Sequence, residues 1–466
     1  MCFRSPCQGL RKFFVYLREI LMDVDSIDYR KFVLEHSGDD MARLVLSRQK
    51  WPGIDLDMAV TAIECRRKIR TKLPRWYAEA GIIYPDRVCA EQSSSSETAA
   101  YKASVAERIL ASLLASAIGV ESRKPADDER RGRVADLTGG LGVDSLAFSR
   151  VASDVLYNEM DHDRACAAEH NFHLLGAGNI HVMSSCVEPE ADGFWEKLRD
   201  FSPDIVYMDP ARRSSDGSKV FLLEDCSPDV LTLLPYVFGV AHELLLKLSP
   251  MADISMLIGR LKEHGGYVHE VHVVAAAGEC KELLLRVKDS PCGAARLVVN
   301  ENGHMLPDAG GSLEACSDSG FVPVFMESPR QLPSVEYIFE PGKALAKAGL
   351  FNAVCTLFTP SSEPASVMKA GRSTHLYFVA GRPPAMKDFG KVFRVMDILP
   401  LDRKNMKVLA MKYPEAEVSA RNIPMSSDAL RKKLKVSSGG DVHIFGMRVD
   451  FLSAPSACYL VAAVRS

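Results

Sequence analysis

Val134-Ala135-Asp136-Leu137-Thr138-Gly139-Gly140-Leu141-Gly142-Val143-Asp144-Ser145 is a short apolar run that ends on an acid, bends through three glycines and opens into a helix. Glycines at a strand-to-helix turn let the backbone approach a ligand closely, beside the free N–H groups of the helix start. The spacing of Gly139, Gly140 and Gly142 differs from the G-x-G-x-x-G bend that seats a pyrophosphate. An acid ahead of the bend, Asp136, suits a cationic ligand such as an amino-acid ammonium. Taken alone, the glycines would also suit a tight turn that binds nothing.

Outward from this bend, short apolar runs alternate with helix-length segments. The expected strands are Val134–Leu137, Val155–Glu159, Ile180–Met183, Ile205–Asp209 and Glu243–Leu248, then Tyr267–Ala275 and Cys280–Lys288. Strands alternating with helices predict a parallel sheet covered on both faces. The last two runs are separated by too few residues for a parallel crossover, so they must pair as a hairpin. The fold class is therefore α/β, a doubly wound Rossmann-like sheet of seven strands whose last strand is reversed.

Upstream, residues 23–120 read as helical, with apolar positions at helical spacing in 57–64 and 104–118. Pro52, Gly53, Pro74 and Pro85 punctuate them, and the charged stretch 123–133 reads as a linker. Downstream, 307–320 reads as a loop. Tyr337–Phe339, a helix over 343–358 and a strand over 376–380 suggest a small α+β module. The last 75 residues predict strand 392–399, helix 402–412, strand 417–421, helix 427–434 and strands 442–449 and 459–464. The expected domains are 23–120, 121–290, 291–390 and 391–466.

Three strand ends carry acids toward one crevice, where open α/β sheets bind ligands. Asp136 is the first. Glu159, at the second, is placed to accept hydrogen bonds from both ribose hydroxyls of a nucleoside, with Asp161 and Asp163 as competitors. Asp209 is the third, followed by Pro210, Ala211, Arg212 and Arg213. Asp-Pro removes a backbone donor and leaves acceptors facing the crevice, while the arginines offer donors for phosphate or a base edge. Lys247, inside an apolar strand, reads equally well as a ligand contact or as an ion-pair partner of Asp209. Glu279 and Lys281 read as turn charges. No metal site is signalled.

Composition bounds the rest. The chain has 466 residues, 47% hydrophobic and 25% charged, which excludes a disordered chain, a coiled-coil rod and a disulfide miniprotein. No apolar run is long enough for a membrane span. The first 22 residues resemble neither a signal nor a transit peptide, and Met22 is an alternative start. The 12 cysteines include no C-x-x-C pair, which suggests a reduced, cytoplasmic interior. Residues 366–466 hold 17 Lys and Arg against 8 Asp and Glu, whereas the remainder holds 40 against 52. A basic tail on an acidic body points to a polyanion or to a merely solvated face.

With the bend, Glu159, the Asp209-Pro210-Ala211-Arg212 run and the reversed last strand in view, the chain resembles a class I S-adenosylmethionine-dependent methyltransferase. More closely, it is similar to a bacterial family with a helical N-terminal domain and a C-terminal THUMP-like domain. Gln92-Ser93-Ser94-Ser95-Ser96-Glu97, Tyr101-Lys102, Gly278-Glu279-Cys280-Lys281-Glu282 and Tyr337-Ile338-Phe339-Glu340-Pro341 belong to that resemblance. It implies a cofactor site of Asp136, Thr138, Gly139, Gly140, Gly142, Asp144, Ser145, Glu159 and Ser185. It implies a catalytic role for Asp209, Pro210 and Arg212. The chain departs from the Asp-Pro-Pro-aromatic motif of amino-methylating enzymes at Ala211 and Arg212. It departs again at Ser184-Ser185, where an acid often meets the adenine amino group. THUMP domains accompany RNA-modifying enzymes, so the resemblance implies RNA as partner, met by Arg213, Lys432, Lys433 and Lys435. Two other readings stand beside it: an RNA-binding protein that has lost catalysis, and a methyltransferase of protein or small molecules.

Overall fold

The computed structural model describes residues 27–118, 132–191, 193–212, 223–306, 320–359, 367–381 and 385–466. The first 22 residues with Met22, Arg213 and the loop over 307–319 therefore lie outside the described residues, as does most of the charged stretch at 123–133. Two compact units make up the chain: the first takes residues up to Leu248 with Arg260–Tyr267 and Arg286–Pro291, the second Ser249–Gly259, Val268–Leu285 and Cys292–Ser466.

The first unit begins with helices Ile27–Glu35, Met41–Leu46, Leu56–Ile69, Pro74–Ala78, Arg87–Gln92 and Ser96–Ile118. Aspartates start three of them: Asp40, Asp55 and Asp86 accept hydrogen bonds from backbone N–H groups of the first turn. In the longest helix, Ser95 and Thr98 exchange backbone-to-hydroxyl bonds of 3.2 Å each way, a reciprocal cap.

The strands that follow are β1 (Arg133–Asp136), β2 (Asp154–Asn158), β3 (Ile180–Met183), β4 (Ile205–Met208), the short pair β5 (Ala211–Arg212) and β6 (Cys226–Ser227), and β7 (Glu243–Leu248). β3, β2, β1, β4 and β7 lie side by side in that order, all parallel. All four residues of β4 are buried, as expected of a strand covered on both faces. β5 and β6 form an antiparallel ladder of their own directly after Asp209-Pro210.

The second unit supplies most of β8 (Tyr267–Ala276) and β9 (Glu279–Lys288), then β10 (Arg296–Glu301) and β11 (His304–Met305). Ala277 and Gly278, at φ 52° and 78°, turn β8 back into β9, so the reversed strand is present. The sheet counts nine strands instead of the expected seven. The addition comes from β10, which runs parallel to β8 in the stretch assigned by sequence to the small module, and from its hairpin partner β11.

β12 (Tyr337–Pro341), β13 (Val367–Gly371), β14 (Thr374–Val379), β15 (Gly390–Pro400), β16 (Glu417–Arg421), β17 (Val442–Val449) and β18 (Ala457–Arg465) form one sheet of seven strands. Its order is β13-β14-β12-β15-β18-β17-β16, so strands from 291–390 and from 391–466 share a single sheet. One face packs Ile338, Phe378, Phe393, Phe445 and Val461 into a core. The other gathers Leu409, Leu430, Leu434, Ile444 and Leu460 beneath helices Arg403–Lys412 and Ser427–Leu434. The helix expected over 343–358 is two helices, Lys343–Ala348 and Ala353–Leu357. Gly349, at φ 74°, ends the first in the left-handed conformation that stops a helix.

Candidate functional site

The bend after β1 owes its shape to two aromatic rings. Gly139 lies against Tyr157: a Cβ there would stand 2.1 Å from the ring. Gly142, at φ 88°, lies against Phe172, which a Cβ would meet at 2.5 Å. Tyr157 and Phe172 pack edge to face with centroids 5.3 Å apart, and the Tyr157 hydroxyl donates to the Gly140 carbonyl at 2.5 Å. Gly140, at φ 53°, has nothing within 4 Å of its would-be Cβ and opens onto a cavity.

That cavity has a volume of about 690 Å³ and lies wholly within the first unit. Its floor is the bend from Leu137 to Asp144, and its walls include Glu159–Asp161, Cys186–Pro189, Asp209 and Asp229. Ser93 and Ser94, from the N-terminal helical stretch, close another side. Thr138, Gly139, Gly140, Gly142, Asp144, Glu159 and Asp209, all expected from the sequence, thus border one space.

The remaining expected residues sit elsewhere. Asp136 is 1% exposed and does not line the cavity; it accepts hydrogen bonds from Ser145 Oγ at 2.5 Å and Thr138 N at 3.1 Å. Burial pushes its carboxyl up to about 7, against the pull of the Ser145 hydrogen bond. Ser145 is thereby a buried partner of Asp136 and not a wall of the cavity. Pro210 is buried behind the wall. Arg212 places its backbone in β5, and Arg213 lies outside the described residues. Ser185 gives its carbonyl to Asn158 Nδ2 at 3.0 Å, and the cavity wall begins one residue later at Cys186. Lys432, Lys433 and Lys435 stand exposed at the end of helix Ser427–Leu434.

Glu159, just past β2, accepts N–H groups from Gly140 at 2.9 Å and Asp161 at 3.0 Å, one on each oxygen. Of its competitors, Asp161 borders the cavity but also caps helix His162–Leu174, and Asp163 is exposed in that helix's first turn. Asp209 receives Lys247 Nζ on Oδ2, while its own N–H donates to Thr138 Oγ1 at 2.6 Å. The ion-pair reading of Lys247 is therefore the one present.

Four side chains that bear on the cavity went unassigned by sequence: Ser94, Lys102, Tyr157 and Tyr207. Lys102 is fully buried, 3.0 Å from Asp144 Oδ1. Its signal was readable, because it occupies an apolar stripe with Ala99, Ala103, Ala106 and Ile109 along one helix. Burial would raise the Asp144 carboxyl, but Lys102 and then Lys247 outweigh it and hold it below its ordinary value.

A mostly parallel α/β sheet, a glycine bend after its first strand and acids beyond its second and fourth strands define the class I methyltransferase fold. Residues 390–462 match the family described as THUMP domain-like, so the chain joins that fold to a C-terminal THUMP-like domain. Over 96% of its length it is similar to a solved structure from Porphyromonas gingivalis W83, a protein provisionally described as a methyltransferase. The two share 26% identity at a TM-score of 0.74, and 98% of that chain is covered. Looser likenesses include an RNA methyltransferase, also provisionally described, from Pyrococcus horikoshii (18% identity, TM-score 0.25, 40% of this chain and 84% of that one). Another is a SAM-dependent methyltransferase from Aquifex aeolicus (16% identity, TM-score 0.26, 34% and 84%). No curated protein matches the chain.

Proposed function

We propose that the protein is a cytoplasmic S-adenosylmethionine-dependent methyltransferase that modifies a base in structured RNA, such as tRNA or rRNA. The observation that carries this reading is the single cavity that gathers the open glycine bend, Glu159 and Asp209.

The residues fit the cofactor. A space of about 690 Å³ is within the range of nucleoside-sized ligand sites. Its lining holds Asp144, Glu159, Asp161, Glu188, Asp209 and Asp229 against Arg164, an acid excess that favours a ligand bearing a sulfonium and an ammonium. The bend Thr138–Gly142 would hold the methionine moiety, Glu159 the ribose through its remaining lone pairs, and Cys186–Pro189 the adenine edge. Asp136 and Ser145 support the bend from behind. When bound, S-adenosylmethionine supplies an activated methyl group on sulfur.

The chain's own part is positioning. Asp209 would orient the nucleophile and take up its proton, with its carboxylate held by Lys247. Pro210 fixes the backbone there, and Arg212 would face the phosphate or base. Lys432, Lys433 and Lys435 would meet RNA phosphates, in keeping with the THUMP-like match.

The test is calorimetric titration of S-adenosylmethionine into the full chain, followed by labelled methyl transfer to total bacterial RNA by wild type and Asp209→Ala. Binding, with transfer lost in the variant, is the expected result. No binding ends the enzyme reading. Binding of RNA without transfer would mark a protein whose catalysis has lapsed. Label that survives RNase would move the substrate to protein or small molecules.

A further inference from the structure

The cavity is keyed by a lysine that comes from outside the sheet. Lys102 lies in helix Ser96–Ile118 with no solvent exposure, its Nζ 2.6 Å from Ser94 Oγ and 3.0 Å from Asp144 Oδ1. Ser94 Oγ donates to Asp144 Oδ2 at 2.9 Å, and the Tyr207 hydroxyl donates to the same oxygen at 2.8 Å. Three segments meet in this network: the helical N-terminal stretch, the first turn after the glycine bend, and β4. Ser94 and Asp144 line the cavity, and Tyr207 stands two residues before Asp209 on its chain.

We propose that Lys102 is a positioning residue for the cofactor: it locks Ser94 onto Asp144 and so makes the N-terminal helical stretch a fixed wall of the cofactor cavity. This rests on the methyltransferase reading. A buried ammonium needs a partner, and a buried carboxylate needs one as much; each answers the other here. The serine hydroxyl between them accepts from the lysine and donates to the carboxylate, which sets where the Ser93–Ser94 edge stands relative to the bend. Lys102 itself lies behind this wall and does not line the cavity. Its influence on a ligand therefore runs through Ser94 and Asp144, which do line it.

Two full-chain variants test it. Ser94→Ala leaves the Lys102–Asp144 pair intact and removes only the bridging hydroxyl. Lys102→Met removes the charge and leaves Asp144 with its Ser94 and Tyr207 hydrogen bonds but without the Lys102 ion pair. Calorimetric affinity for S-adenosylmethionine, the split between KM for the cofactor and kcat in RNA methylation, and Tm are measured together. Both variants are expected to raise the cofactor Kd and KM about tenfold or more while kcat stays within about threefold, as loss of binding shared equally by ground and transition states predicts. Ser94→Ala binding within twofold of wild type per folded molecule would overturn the proposal even if Lys102→Met fails to fold. A fall in kcat at unchanged Kd would overturn it too. Wild type that binds no S-adenosylmethionine would end the methyltransferase reading itself, and this proposal with it.

Discussion

Ser145 Oγ donates a 2.5 Å hydrogen bond to Asp136 Oδ2, tying the first helix after the bend back to the last residue of β1. The sequence offered Asp136 as a ligand for the cofactor's ammonium. Its carboxylate is instead buried and committed to protein groups, so its effect on the site is exerted through the shape of the bend.

Burial holds the Asp136 carboxyl up near 7. The folded protein therefore keeps a proton there that the unfolded chain gives up at about 4, and the unfolded state binds fewer protons between those values. The stabilisation is complete below about 4 and is lost as pH rises through about 7. At about 1.4 kcal/mol per pKa unit, ionising Asp136 costs on the order of 4 kcal/mol. Asp136→Asn should flatten the decline of Tm between pH 5 and 8.5 and be more stable than wild type at the alkaline end. Thermal melts of both proteins across that range decide the matter; parallel pH curves would refute it.

The three glycines of the bend should not respond alike to alanine. Gly139→Ala and Gly142→Ala drive a methyl group into Tyr157 and Phe172, and each should lose about 2–4 kcal/mol or fail to fold. Gly140→Ala meets no atom and should lose only about 1–2 kcal/mol, the cost of a left-handed alanine. Its methyl faces the cavity, so cofactor affinity should fall more than stability does. Urea unfolding combined with calorimetric titration separates the two effects.

Neutralising Lys432, Lys433 and Lys435 together should weaken RNA binding and lower the slope of log affinity against log salt by about 2–3, the change expected for three lost phosphate contacts. Fluorescence anisotropy over a range of salt reads the slope directly. An unchanged slope would return these lysines to a solvated helix face.

Gly342 stands against the buried Glu301, whose carboxylate accepts the N–H groups of Ala344 at 2.7 Å and Lys343 at 3.3 Å. A Cβ at 342 would lie 2.4 Å from the Glu301 carboxyl carbon. Gly342→Ala should therefore cost about 1–3 kcal/mol, measurable as a lower urea midpoint at unchanged m-value.

The parallel strands were legible because burial on both faces leaves runs such as Leu244-Leu245-Leu246, which no surface segment affords. β10 escaped because its last two residues, Asn300 and Glu301, are polar yet buried, with Asn300 Oδ1 accepting from Gly303 N and Glu301 capping a helix. The same blindness hid Ser94, which reads as solvent-facing until its partner 50 residues away is seen; the apolar stripe around Lys102 marks it as buried but does not name Asp144, 42 residues on, as its partner. At Ser185 the reading fell one residue short of the wall, since a strand's end is not marked by its side chains.

Tyr157 clamps the glycine bend from below, its ring under Gly139 and its hydroxyl on the Gly140 carbonyl. The loop thus acquires its form during folding, ahead of any guest. Capture should then resemble seating in a rigid mould, with little conformational freedom surrendered on arrival and an association rate governed by encounter more than by rearrangement.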